Sequence, residues 1–309
     1  MPIYNEPTQR GLQAWRDSLG GLLTALAEDA DPGLMRELRE NYTRMLRQHP
    51  IPEGVVVEPI TVSGIPAHRV TPARGSRTRT LIYFHGGAYL FGSAEGYVAL
   101  GARFALALDA VVLIPDYRLA PEHPFPTPIL DCVDFYQGVL EVGVPPESVV
   151  FAGDSAGGAL TLSVMTRARA RGLPLPAAGI VLSPWVDLSH SGASMRTRQG
   201  VDPLCSRDAL DLQARAFLGD ARVTEPDASP VNADLRGLPP ILVQIGEAEV
   251  MLSGALDLVT RLAEHRVRVS LDVWPDMFHV WHLFAAVLEE GRLGIERAAS
   301  FAAAALGDG

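Results

Sequence analysis

The sequence predicts an α/β protein with a mostly parallel central sheet, helices on both faces and a helical cap. Three observations lead there. From Leu81 onward, short apolar runs suited to buried strands alternate with helical stretches, the pattern of parallel strands joined by crossover helices. One run, Val149 to Ala152, passes through Gly153-Asp154-Ser155-Ala156-Gly157 into a helical stretch that reaches Arg171 before Gly172-Leu173-Pro174 stops it. The alternation then lapses between about Ser189 and Asp234, which marks an insertion between two core strands. With 309 residues, 48% of them apolar and 20% charged, the chain can bury a core of this size.

Taken in order, residues 8–49 read as two amphipathic helices. Leu12, Trp15, Leu19, Leu22, Leu23 and Leu26 recur at helical spacing, and Leu34, Leu38, Tyr42, Met45 and Leu46 do so after the Asp31-Pro32-Gly33 break. Val55 to Val62 and Ile65 to Val70 flank Ser63-Gly64 as a β-hairpin. Strands are then expected at 81–84, 110–114, 149–152, 179–182, 241–245 and 267–273. Helices are expected near 97–108, 129–142, 159–171, 208–218 and 253–265, with one more at the C-terminus. The boundaries that follow are N-terminal helices at 1–50 forming part of a cap, a core at 51–188, a cap or lid insertion at 189–234, and the rest of the core at 235–309.

The formal charge of −10, with 26 lysines and arginines scattered along the chain, argues against a nucleic-acid partner. Cys132 and Cys205 are too few for a disulfide framework and lack metal-ligand spacing. The first sixteen residues carry Glu6, Arg10 and Arg16 with no central apolar run, and no stretch is long and apolar enough to span a bilayer. A cytoplasmic chain without membrane insertion is expected.

Sites in such sheets lie beyond the carboxyl ends of the strands, so the segments after each strand carry the chemistry. Gly153 and Gly157 leave room for a sharp turn that exposes Ser155 Oγ, while the Ala156 N–H points from the helix N-terminus toward the same place. A serine hydroxyl needs a neutral imidazole to take its proton, and that imidazole needs a carboxylate to fix its tautomer. Gly246-Glu247-Ala248-Glu249 follows one strand, and Trp274 to His279 follows the last. Ser155, an acid near 249 and His279 therefore appear in the chain order expected of this sheet. His282, three residues further on, is the rival base. Glu247 is the neighbouring alternative acid. After the strand at 81–84, His85-Gly86-Gly87-Ala88 lets the backbone approach a ligand and present N–H groups to an oxyanion.

With these residues placed, the sequence resembles the hormone-sensitive-lipase-like esterases, the bacterial family IV carboxylesterases of the α/β-hydrolase superfamily. His85-Gly86-Gly87, the run from Pro115-Asp116-Tyr117-Arg118 to Pro126, Gly153-Asp154-Ser155-Ala156-Gly157-Gly158 and Ser183-Pro184-Trp185-Val186-Asp187-Leu188 resemble family motifs in family order. The wording around Glu249 and His279 is most similar to the branch with monoterpene ε-lactone hydrolases and acetyl hydrolases. Two departures stand out. Position 249 is Glu where the family usually has Asp, and Asp202 imitates the family's Asp-Pro-Leu acid motif from the wrong part of the chain. Position 88 is Ala where the family has a third glycine; if it needs φ > 0, its Cβ costs about 1 kcal/mol.

The resemblance implies an α/β-hydrolase fold and a serine carboxylesterase acting on short to medium acyl chains without metal or organic cofactor. Ser155, Glu249 and His279 are the expected triad, with Gly86, Gly87 and Ala156 as main oxyanion donors and Ala88 as a fourth. His85 is expected to orient its loop. The partner is a small-molecule ester or lactone; members of the family often dimerise, and a homodimer is among the expectations. Trp15, Tyr89, Trp185 and residues 189–218 are candidate pocket or lid elements. A lactone or acetyl hydrolase with the same triad is the alternative, and a non-catalytic small-molecule receptor on this fold a more distant one.

Overall fold

The computed structural model describes residues 4–21, 32–75 and 78–307. Two helices lead, α1 (Glu6–Ser18) and α2 (Pro32–Leu46). Asn5 caps α1 by accepting the Thr8 N–H at 2.9 Å, and the helix buries Leu12 and Trp15. On α2 the buried residues Met35, Leu38, Tyr42 and Met45 fall at helical spacing, forming one apolar stripe. The predicted apolar positions Leu22, Leu23 and Leu26 lie outside the described residues, as does Asp31.

A hairpin follows, β1 (Val55–Val62) and β2 (Ile65–Pro72), closed by Ser63 and Gly64 at φ 50° and 78°. Two consecutive positive φ angles match the twist of the flanking strands. The chain then alternates: β3 (Arg79–Phe84), α3 (Val98–Leu108), β4 (Ala110–Pro115), α4 (Thr127–Glu141), β5 (Val149–Asp154), α5 (Ala156–Ala170) and β6 (Ala178–Leu182). The stretch between β6 and the next strand holds the short α6 (Ser194–Thr197) and the longer α7 (Arg207–Leu218). The alternation resumes with β7 (Ile241–Gly246), α8 (Leu252–Glu264), β8 (Val269–Trp274) and α9 (Glu289–Leu306).

All eight strands form one sheet in the order β1-β2-β4-β3-β5-β6-β7-β8. The β1–β2 and β2–β4 pairs are antiparallel and the remaining five are parallel. Strands β5, β6 and β7 are buried throughout, as parallel strands covered on both faces must be, whereas β8 alternates between exposed and half-buried at the sheet edge.

Most strands run one or two residues past their predicted limits, and β8 starts two residues late. β5 continues past Ala152 because Gly153 and Asp154 still pair with Val181 and Leu182. β8 starts late because the Val267 N–H folds back onto the Leu262 carbonyl at 2.9 Å, closing α8 before the strand begins. The register decides where function sits. Phe84 pairs with Gly153, Asp154 with Leu182, and Gly246 with Trp274, so the segments leaving β3, β5, β6, β7 and β8 emerge along one edge.

Candidate active site

Between the last residue of β5 and the first of α5 stands Ser155 alone, at φ 53° and ψ −119°. That backbone conformation costs a residue with a side chain about 1–3 kcal/mol and persists only where the surroundings enforce it. Here the Ser155 N–H donates to the Leu182 carbonyl, and its own carbonyl accepts from the Trp185 N–H, both at 2.9 Å. Gly157 lets α5 press against the tip of β3: a Cβ there would meet the Phe84 carbonyl oxygen at 1.9 Å.

His279 leaves the end of β8 and meets Glu249 from the end of β7, with Nδ1 and Oε2 2.8 Å apart. Glu249 is wholly buried, and its second oxygen accepts from the Gly246 N–H at 2.6 Å and from Ser183 Oγ at 2.7 Å. Ser183 Oγ in turn accepts the Val280 N–H at 3.0 Å. One hydroxyl at the tip of β6 therefore ties the acid loop to the histidine loop. With the carboxylate accepting from Nδ1–H, Nε2 is the nitrogen left for the cavity that Ser155 also lines. Burial pulls the His279 pKa down, but the hydrogen bond and charge of Glu249, with Asp202 and Asp154 beyond, outweigh it and hold the imidazole above its ordinary 6.5.

The rival residues are engaged elsewhere. Asp202 accepts from the N–H groups of Leu204 and Cys205 with one oxygen and from Val250 with the other, all at 3.0 Å, so it braces the acid loop from the insertion without touching His279. Glu247 pairs with Arg198 at 2.5 Å. His282 is buried with Nε2 on Gln244 Oε1 at 2.9 Å, and burial lowers its pKa to about 3. His85 hydrogen-bonds the Gly86 carbonyl at 2.8 Å, and Tyr117 from the Pro-rich loop donates to the His85 carbonyl at 2.7 Å, so His85 orients its loop.

The expected oxyanion donors separate into two groups. The Gly86 N–H already donates to Asp154 Oδ1 at 3.0 Å, which removes Gly86 from the expected set. Asp154 also accepts from Tyr83 and Tyr97, each at 2.9 Å, and burial pushes its carboxyl up to about 6 despite those bonds. The N–H groups of Gly87, Ala88 and Ala156 have no hydrogen-bond acceptor among the described residues. Gly87 lies at φ 116°, where a Cβ would come within 2.1 Å of the Phe91 carbonyl. Ala88 adopts φ 53°, so the alanine does carry the backbone strain anticipated for this position.

Ser155, His279, Gly87 and Ala88 line a narrow cavity of about 50 Å³, closed over by Trp15 and Tyr42 from α1 and α2 and by residues of the insertion, Leu210 and Gln213 among them. Trp185 lines it too, and its Nε1 donates to His190, whose other ring nitrogen meets Asp211 of α7 at 2.6 Å. Tyr89 lies outside the lining, wholly buried and stacked on Phe217 at 3.7 Å. Cys132 and Cys205 are both free thiols. Among the described residues no group of three or more His, Cys, Asp and Glu is placed to hold a metal ion, and no helix is long and apolar enough to cross a membrane. Sequence reasoning gave no role to Ser183, Asp154 or Gln213. For the first, its place directly after a core strand was the available signal.

A family model for the alpha/beta hydrolase fold matches residues 81–283. An acetyl-hydrolase of Streptomyces hygroscopicus is 42% identical over 259 residues, 84% of this chain and 85% of that protein. An esterase of Acinetobacter venetianus is 31% identical over 272 residues, 88% of each chain. Among solved structures, an esterase from the bacterial hormone-sensitive lipase family superposes with a TM-score of 0.90 at 36% identity, covering 99% of this chain and all of that one. With the sheet, the serine elbow and these relatives in agreement, the chain belongs to the α/β-hydrolase fold family, among its hormone-sensitive-lipase-like bacterial esterases.

Proposed function

We propose that this esterase cleaves short- to medium-chain carboxylic esters through an acyl-enzyme on Ser155. The observation that carries the reading is the Glu249–His279 hydrogen bond, 2.8 Å long, behind a Ser155 elbow that faces the same cavity. Ser155 Oγ attacks the acyl carbon while His279 Nε2 takes its proton, and the C=O π pair moves onto oxygen. The amides of Gly87, Ala88 and Ala156 receive that oxyanion; their N–H groups have no acceptor among the described residues and need no reorganisation to do so. Glu249 holds the tautomer and stabilises the imidazolium. His279 then protonates the departing alcohol, and a water activated by the same imidazole releases the acid.

The small cavity favours short acyl groups, and the Streptomyces relative is named for acetyl removal. Helices α1 and α2 with the insertion at 189–234 act as the cap over it. The test is hydrolysis of p-nitrophenyl acetate, butyrate, octanoate and palmitate, with a seven-membered lactone alongside. Acetate or butyrate should be turned over fastest and palmitate hardly at all. Ser155→Ala should lower kcat by about a million-fold. Faster turnover of the lactone than of butyrate would make the protein a lactone hydrolase with this machinery; an inert wild type would overturn the reading.

A further inference from the structure

Helix α7 turns Leu210, Gln213, Ala214, Phe217 and Leu218 inward, so a glutamine stands in an otherwise apolar stripe. Gln213 is only 8% exposed, and it lines the cavity that holds Ser155 and His279. Among the described residues, nothing hydrogen-bonds its side-chain amide. The same lining includes the large side chains of Trp15, Tyr42, Trp185, Leu210 and Met251. Its amide atoms are not among the sealed, unpartnered polar atoms of the described residues, so they remain accessible, where leucine or methionine would offer the cavity only apolar surface. An amide left open toward the cavity is complementary to what enters it. It presents one acceptor and two donors, which together match a hydroxyl, and its donors alone match a carbonyl.

We propose that Gln213 is a specificity-determining residue that selects esters carrying a second oxygen function, a hydroxyl or carbonyl, over alkyl esters of the same shape. This rests on the esterase reading of the site. A site built to hydrogen-bond a substrate group discriminates against the analogue that lacks it, because its own polar atoms are then left unpaired. One neutral hydrogen bond is worth roughly three- to tenfold in kcat/KM.

The experiment compares shape-matched pairs by pH-stat titration: ethyl 3-hydroxybutanoate with ethyl 3-methylbutanoate on the acyl side, and 2-hydroxypropyl butanoate with isobutyl butanoate on the alcohol side. Wild type is measured beside Gln213→Leu and Gln213→Met, with circular dichroism to check that both variants fold. In one pair, the hydroxyl-to-methyl ratio of kcat/KM should fall roughly three- to tenfold in both variants. Equal effects on both members of each pair, or no effect, would overturn the proposal and leave Gln213 a structural residue. A wild type inactive on all four esters would instead overturn the esterase reading on which the proposal rests.

Discussion

On the sheet side of the cavity, both buried carboxylates are fully engaged and the open groups are backbone amides. Glu249 is bound by His279, Gly246 and Ser183, while Asp154 is bound by Gly86, Tyr83 and Tyr97. Strain gathers there as well, with Ala88, Ser155, Ser183 and Val280 all at positive φ. On the cap side the wall is mostly apolar, Gln213 has no side-chain hydrogen bond among the described residues, and α7 is tied to Trp185 through His190 and Asp211. In the field of His279 the sheet side holds two buried carboxylates, Glu249 and Asp154, and the cap side one, Asp202; only Glu249 hydrogen-bonds the ring. The difference separates work. Fixed dipoles and strained loops suit the stabilisation of developing charge, whereas an adaptable apolar wall with an unpaired amide suits the choice of substrate.

The sharpest way to break that comparison is to exchange the carboxylates for their amides one at a time. Glu249→Gln should cost about 10⁴ in kcat, because the imidazole loses the partner that fixes its tautomer. Asp202→Asn should cost less than about tenfold in kcat, while thermal unfolding reports a loss of roughly 1–3 kcal/mol from the N–H groups it now satisfies. Equal losses of kcat would mean that the cap carboxylate shares the chemistry.

A pH profile sharpens the same contrast. His279 must be neutral to accept the serine proton, and its pKa is held above 6.5, so kcat/KM should fall as the pH drops through a midpoint above 6.5. Removing the charge of Glu249 leaves burial dominant, and the acid limb of the residual activity in Glu249→Gln should move to lower pH. An unmoved limb would show that another group titrates.

The smallest effect is expected on the cap. Asp211→Asn weakens the link from α7 to His190, but Asp211 is 39% exposed and such a pair is worth about 1 kcal/mol or less. KM for p-nitrophenyl butyrate should change by less than about fivefold, with kcat held. A large loss of kcat would place the cap inside the catalytic machinery.

Much of this is legible in the sequence alone. The Ser155 turn was readable because a buried strand, two glycines and a breaker-free helix are adjacent in the chain, and backbone sterics at such a turn are local. His279 stood out because it follows the last core strand. The choice among Glu249, Glu247 and Asp202 was narrowed by strand position but not closed. Ser183 was missed because its partners lie 66 and 97 residues away, at Glu249 and Val280. Gly86 was misjudged for a similar reason: its N–H is taken by Asp154, 68 residues on.

By itself the sequence determined the alternating α/β order, the elbow at Ser155 and the strand ends from which a site had to be assembled, because periodicity and turn chemistry act between near neighbours. Only the tertiary structure decided which carboxylate reaches His279, which amides remain free for an oxyanion, and that Gln213 faces the cavity unpaired. Those outcomes depend on strand register and on the packing of segments far apart in the chain, where a hydrogen bond made in one place removes the same group from another.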